Sequence, residues 1–371
     1  MPRHILLITA LLLATGIYAQ TNLLITSSTR NDLSEPMTTI MASPVAKGSG
    51  IAGPVQIKAP ISGKISFKEQ TEHGWREPAE LTASFEGLGY DFTGPHGSVL
   101  NRNPSDNSLA VGPDHIVQIV NWHMAIFTKK GNIYSETGTV LYGPVETRNV
   151  FRGFGGPCDE LNNGDAVVRY DQLANRWLIV MPIFRRVPFK DNEPPAGKSG
   201  EPARLSMPGI PGQPGKAEPL HIPVPLTPAE QANADSVRRA NRTPAPAEGS
   251  YCMCYAISTG PDPFGPYYRY EFVRPLFPDY PRPAVWTDGY YVPTSTGDHV
   301  VQKHACVVER DAMLRGEPAK ELCFIIDGVN FLNNADIDGQ QIPPAGEPNI
   351  MLATGGTQLE GITSDNGIYI W

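Results

Sequence analysis

Oxygen-rich turns are the stretches of this chain best equipped for chemistry. Asn333-Asn334-Ala335-Asp336-Ile337-Asp338-Gly339 sets two carboxylates two residues apart ahead of a glycine. That spacing presents several hard oxygens to Ca²⁺, and it is also ordinary turn chemistry. No bidentate acid follows at the distance a complete Ca²⁺ loop needs. Asp106-Asn107 and the run from Asp159 to Asp165 are of the same kind. Asp106, Asn107 and Asp165 are therefore the candidate ligand-binding residues, Asp336 and Asp338 the candidate Ca²⁺ ligands, and Ca²⁺ the one cofactor suggested.

Glycoside hydrolysis or polysaccharide lysis needs paired acids, or a Tyr and His base, at a defined separation. Asp165, Asp171, Asp279, His123 and Tyr280 have the right chemistry but are too many for spacing alone to select a pair. A sialidase-type site also wants clustered arginines for a substrate carboxylate, for which Arg152, Arg169, Arg176, Arg269, Arg274 and Arg282 are available. Thr363-Ser364-Asp365-Asn366-Gly367 partly resembles the Asp-box turn of sialidase-type propellers, but Tyr369 and Ile370 stand where Thr and Trp belong. Such turns are structural. Gly-x-Ser-x-Gly, His-Glu-x-x-His and Cys-x-x-Cys-His are absent, and Gly197-Lys198-Ser199 lacks the upstream glycine of a phosphate loop. No catalytic centre is identified.

There are five cysteines, so at least one is left over. The expected pairs are Cys158 with Cys254 and Cys306 with Cys323, the second closing a hairpin-sized loop between Val307-Val308 and Phe324-Ile325-Ile326. Cys252 and Cys254 are poor partners, because i and i+2 in a strand lie nearly 7 Å apart. A metal site of Cys252-Met253-Cys254 with His304 lacks a second close pair of ligands.

The elements that must carry these residues are short strands. Arg3 and His4 precede an apolar run from Ile5 to Ala14, and Ile17-Tyr18-Ala19 offers a cleavage site before Gln20, so residues 1–19 read as a signal peptide of an exported protein. The run is too short to span a bilayer, and no later segment is apolar enough. Gly (36) and Pro (37) would break helices too often, and 30 Lys plus Arg against 38 Asp plus Glu argues against nucleic acid or anionic membrane as partner. Residues 20–80 read as a flexible Ser/Thr/Pro-rich leader with at most a few edge strands, and 188–248 as a disordered Pro-rich insertion.

From residue 81 onward, strands alternate with turns. Hairpins beginning near 110, 166, 284 and 361 share one pattern, an apolar strand, an Asp- or Asn-bearing turn and an aromatic return strand. With the insertion discounted they recur every 55–75 residues or so, the upper end of propeller blades. Trp371 falls inside what reads as a hairpin's second strand, so the array is expected to be incomplete at the C-terminus.

Gly153-Phe154-Gly155-Gly156-Pro157-Cys158, then Asn162-Asn163-Gly164-Asp165 and Tyr170-Asp171-Gln172-Leu173-Ala174-Asn175-Arg176-Trp177-Leu178, resemble a group of exported bacterial β-propeller-like proteins without assigned activity. Pro104-Ser105-Asp106-Asn107, Cys254-Tyr255-Ala256-Ile257-Ser258 and Phe277-Pro278-Asp279-Tyr280-Pro281 fit the same group, over about residues 83–371. The resemblance implies the fold and carries no chemistry. The resulting expectation is an all-β, propeller-like module, secreted or on the cell surface, that binds a glycan or an extracellular protein. The alternatives are a hydrolase or lyase on the same scaffold, or an inert surface module joined to further domains.

Overall fold

The computed structural model describes residues 23–40, 42, 74–75, 80–99, 105–187, 250–274, 276–294, 303–326, 332–339, 341–354 and 367–371. Residues 1–19, all of the 188–248 insertion with its Gly197-Lys198-Ser199, most of residues 20–80 and Thr363–Asn366 lie outside these. The strands in chain order are β1 (Leu23–Ser27), β2 (Arg30–Leu33), β3 (Phe92–Gly94), β4 (Gly97–Val99), β5 (Asn107–Val111), β6 (His115–Val120), β7 (His123–Thr128) and β8 (Val140–Glu146). They continue with β9 (Val167–Asp171), β10 (Arg176–Val187), β11 (Ser250–Ser258), β12 (Tyr267–Arg274), β13 (Ala284–Val285), β14 (Gly289–Tyr291), β15 (Lys303–Glu309), β16 (Lys320–Ile326), β17 (Asn333–Asn334), β18 (Met351–Thr354) and β19 (Ile368–Ile370). Among the described residues, two short α-helices, α1 (Pro157–Glu160) and α2 (Arg310–Leu314), and a 3-10 turn over Thr147–Phe151 accompany them.

Pairing follows chain order. β5-β6-β7-β8 form one antiparallel sheet, β9-β10-β11-β12 a second, β13-β14-β15-β16 a third and β17-β18-β19 a fourth. The leader supplies the outer strand of two sheets: β2 pairs with β12 and β1 with β16. Residues 23–33 are thus built into the sheets. The bidentate Arg269–Asp32 pair, at 2.8 and 2.7 Å, fixes β2 in place.

The sheets stack face to face, and β10 shows why. Its side chains alternate with period two. Trp177, Ile179, Met181 and Ile183 pack with Val117, Ile119 and Met124 of the first sheet. Leu178 and Val180 pack on the other side with Val285, Tyr290 and Val308 of the third. β11 repeats this, with Cys252, Cys254 and Ala256 on one face and Met253, Tyr255 and Ile257 on the opposite face. Such a strand is apolar at every position because neither face meets water, unlike a one-sided antiparallel sheet. The outer face of the first sheet is covered by Phe85, Leu88, Phe92 and Val99 around Phe127, and β15 meets the fourth sheet through Ala305 and Ala353.

Cys158 bonds to Cys254 and Cys306 to Cys323, leaving Cys252 as a buried thiol. Cys158 stands on α1, not on a strand beside Cys254, although the Cα atoms are 5.9 Å apart. Gly156 (φ 70°) followed by Pro157 at the first helical position starts this helical turn. The metal grouping of Cys252-Met253-Cys254 with His304 does not form, since the sulfurs close to His304 are those of Cys306 and Cys323.

Candidate ligand pocket at the first strands of three sheets

The first strands of the sheets lie near one another. Ser108 of β5 accepts from the Val168 N–H (3.0 Å) and donates to the Val168 carbonyl (3.3 Å), tying β5 to β9. Arg169 of β9 donates to the Pro283 carbonyl (2.9 Å), just ahead of β13. Where these strands begin, a cavity of about 380 Å³ opens, within the usual range for small-molecule sites. Its wall includes Asp106 to Leu109, Asp165 to Val167, Arg169, and Tyr280 to Arg282.

A residue with left-handed backbone lies ahead of each of the three strands: Asp106 (φ 41°) directly before β5, Asp165 (φ 55°) two residues before β9 and Tyr280 (φ 49°) four residues before β13. Asp tolerates that region; Tyr does so only where its surroundings over-determine it, at about 1–3 kcal/mol. All three line the cavity. Their placement comes from the Asn162-Asn163-Gly164-Asp165 run. Asn162 accepts from the Arg148 N–H and donates to the Trp122 carbonyl (3.0 Å), and Asn163 accepts from the Phe184 N–H (2.9 Å). Gly164 (φ 99°) is pressed so closely on Asn121 that a Cβ would overlap its Oδ1. Asn121, itself at φ 49° in the β6–β7 turn, donates to Asp106 Oδ2 at 2.9 Å.

Asp106 and Asp165 are hydrogen-bonded to each other. Burial raises Asp165 to about 7, reinforced by the charges of Asp106 and Asp279 and by the hydrogen bond. Asp106 is also raised by burial, while the bond from Asp165 acts the other way. The pair thus shares a proton near neutrality and titrates as a unit. Burial lowers Arg282 to about 10, so it stays charged; it donates to the Tyr280 carbonyl (2.7 Å) and the Leu332 carbonyl (2.7 Å) and lies 5.2 Å over the Tyr280 ring. The cavity combines a one-proton carboxyl pair, two guanidiniums, and Tyr280 and Leu109, each about half exposed.

Other expected site residues have structural places. Asp171 is fully buried and accepts from Tyr290 OH (2.7 Å), Arg310 Nε (2.7 Å) and the Leu173 and Ala174 N–H groups. Asp336 accepts from the Val285 N–H (2.6 Å) and faces Arg169 at 3.5 Å, while Asp338 is exposed. Among the described residues, neither belongs to a set of three His, Cys, Asp or Glu ligand atoms close enough to share an ion. His123 is lowered to about 4 by burial, against the charge of Glu146. Of the six candidate arginines, Arg169 and Arg282 line the cavity. Arg269 is bound to Asp32, Arg274 to Glu321, and Arg176 to the Ala174 and Asn175 carbonyls. Asn121 carried no signal beyond its place in a tight turn. Among the described residues, no helix is long and apolar enough to cross a membrane. No protein-family model, curated protein or solved structure matches this chain.

Proposed function

We propose that this chain is a secreted or cell-surface β-propeller-like binding module, of the exported bacterial group its residues 83–371 resemble, and that the cavity at β5, β9 and β13 receives a glycan. The propeller reading is supported by consecutive antiparallel sheets, the first three of which bury apolar residues on both faces, with the first strands of those three near one cavity. The observation that carries the functional reading is that Asp106, Asp165 and Tyr280, left-handed residues ahead of the first strands of three separate sheets, line that same cavity.

The chemistry suits a sugar better than a flat protein surface. A polyol needs closely set donors and acceptors together with an apolar face for its C–H groups, and the carboxyl pair, Arg169 and half-exposed Tyr280 offer these within 380 Å³. Binding of the labelled chain to an array of neutral and uronate-bearing oligosaccharides tests this. Wild type retains a defined set of glycans, and Tyr280→Ala and Asp165→Asn each lose it by tenfold or more. A wild-type chain that retains none, or variants that bind unchanged, overturn the reading.

A hydrolase or lyase remains the second reading, favoured by one observation, a carboxyl held protonated near pH 7 beside a second acid. Against it, Asp106 and Asp165 are in direct hydrogen-bond contact, whereas glycosidases separate their two carboxyls by about 5–5.5 Å or about 6.5–9.5 Å. Release of reducing ends or unsaturated products from the retained glycans, abolished in Asp165→Asn, decides for catalysis.

A further inference from the structure

The β15–β16 hairpin carries a second group of functional side chains, away from the cavity. Cys306 stands opposite Cys323. Because side chains alternate along a strand, His304-Ala305-Cys306 and Glu321-Leu322-Cys323 put His304, Cys306, Glu321 and Cys323 on one face. That face meets β12, where Arg274 donates to Cys306 Sγ (2.9 Å) and Glu321 Oε1 (2.6 Å), and Tyr255 OH donates to the same carboxylate oxygen (2.8 Å).

The inventory of donors and acceptors does not close there. His304 is fully buried, yet neither ring nitrogen has a hydrogen-bond partner in the protein, and Glu321 Oε2 and Arg274 Nε lack one too. Buried polar atoms are rarely left so, and an ion or redox role is among the usual reasons. A His304 nitrogen and the two sulfurs lie within 4.8 Å of one another.

We propose that, when a dithiol opens the Cys306–Cys323 bridge, His304, Cys306 and Cys323 bind Zn²⁺ as its three protein ligands. In the first step the dithiol's sulfurs become a disulfide, the Cys306–Cys323 bond breaks, and two electrons and two protons pass to the protein sulfurs. In the second, Zn²⁺ takes an electron pair from each sulfur and both protons leave to solvent. Soft thiolates with one imidazole select Zn²⁺ over Ca²⁺ or Mg²⁺. Two thiolates balance the charge of the ion, and the Arg274–Glu321 pair stays neutral as a unit, so the site acquires no net buried charge.

Anaerobic Co²⁺ titration of the full chain, oxidised and after reduction with excess reductant removed, tests this. We expect a thiolate-to-cobalt charge-transfer band saturating at one equivalent, displaced by Zn²⁺, in the reduced chain and none in the oxidised one. Cys158→Ser/Cys254→Ser retains the band, Cys306→Ser/Cys323→Ser abolishes it, and His304→Ala weakens binding by roughly tenfold or more. If reduction alone costs the chain its far-ultraviolet strand signal, Zn²⁺ restores it. A reduced chain that neither takes up Co²⁺ nor is restored by Zn²⁺, or a band that survives loss of Cys306 and Cys323, overturns the proposal.

Discussion

Asp165 reverses the usual relation between a carboxylate and stability. Its folded-state value, about 7, lies above the unfolded value near 3.8, so the native chain holds a proton that the unfolded chain releases. The stability it contributes is fully present below pH 4 and is lost as pH rises through 7. Asp165→Asn, which keeps a donor and cannot ionise, should flatten the pH dependence and raise the melting temperature at pH 8 by a few degrees, corresponding to about 1 kcal/mol after discounting for screening. Melting curves between pH 5 and pH 8 check this, and an unchanged slope contradicts it. Glu321→Ala leaves the fully buried Arg274 guanidinium without its carboxylate and should cost about 3–5 kcal/mol in urea denaturation. Asp106, Asn107 and Asp165 stand out in the sequence as oxygen-rich turn residues, and all three line the cavity. What sequence does not carry is which acid faces a cavity. Asp171 has the same type and local setting, but a tertiary partner, Arg310, 139 positions away, consumes it.

Strands were readable wherever both faces are buried, because continuous apolar runs such as Trp177 to Ile183 have no other soluble arrangement. Trp177 fills the space between the first two sheets at 0% exposure, with its Nε1–H on the Pro261 carbonyl at 2.9 Å. Trp177→Ala should therefore cost about 3–5 kcal/mol, measured by urea denaturation, and a loss below 1 kcal/mol would mean that the sheets do not pack as described. Less legible were elements whose pairing is remote. β1 and β2 sit in a polar Ser/Thr-rich stretch, and their partners β16 and β12 lie far along the chain, so local composition favours a leader over edge strands. The pairing of β10 with β11 spans the insertion, from Val187 opposite Ser250 to Leu178 opposite Ile257. The helical turn at Cys158 was hidden because four residues are too few for a period to show.

At the scale of the molecule, each sheet is too thin to hide its own apolar faces and is held by its neighbours, so the first strands of three sheets are drawn toward one place. The positive-φ residue at each entry turns backbone constraint into side-chain direction, and the cavity is where those directions meet. Repetition was visible in the hairpins near 110, 166 and 284; their convergence was not, because relative sheet orientation is set by packing among Trp177, Tyr255, Tyr270 and their neighbours. The most direct measurement is calorimetric titration of an array-retained oligosaccharide into wild type, Tyr280→Ala, Asp165→Asn and the exposed control Ile133→Ser, which lies outside the cavity. The account expects the first two variants to bind tenfold or more weakly with folding intact, and the control to bind as wild type does. Equal affinity in all four chains would place the ligand elsewhere and contradict it.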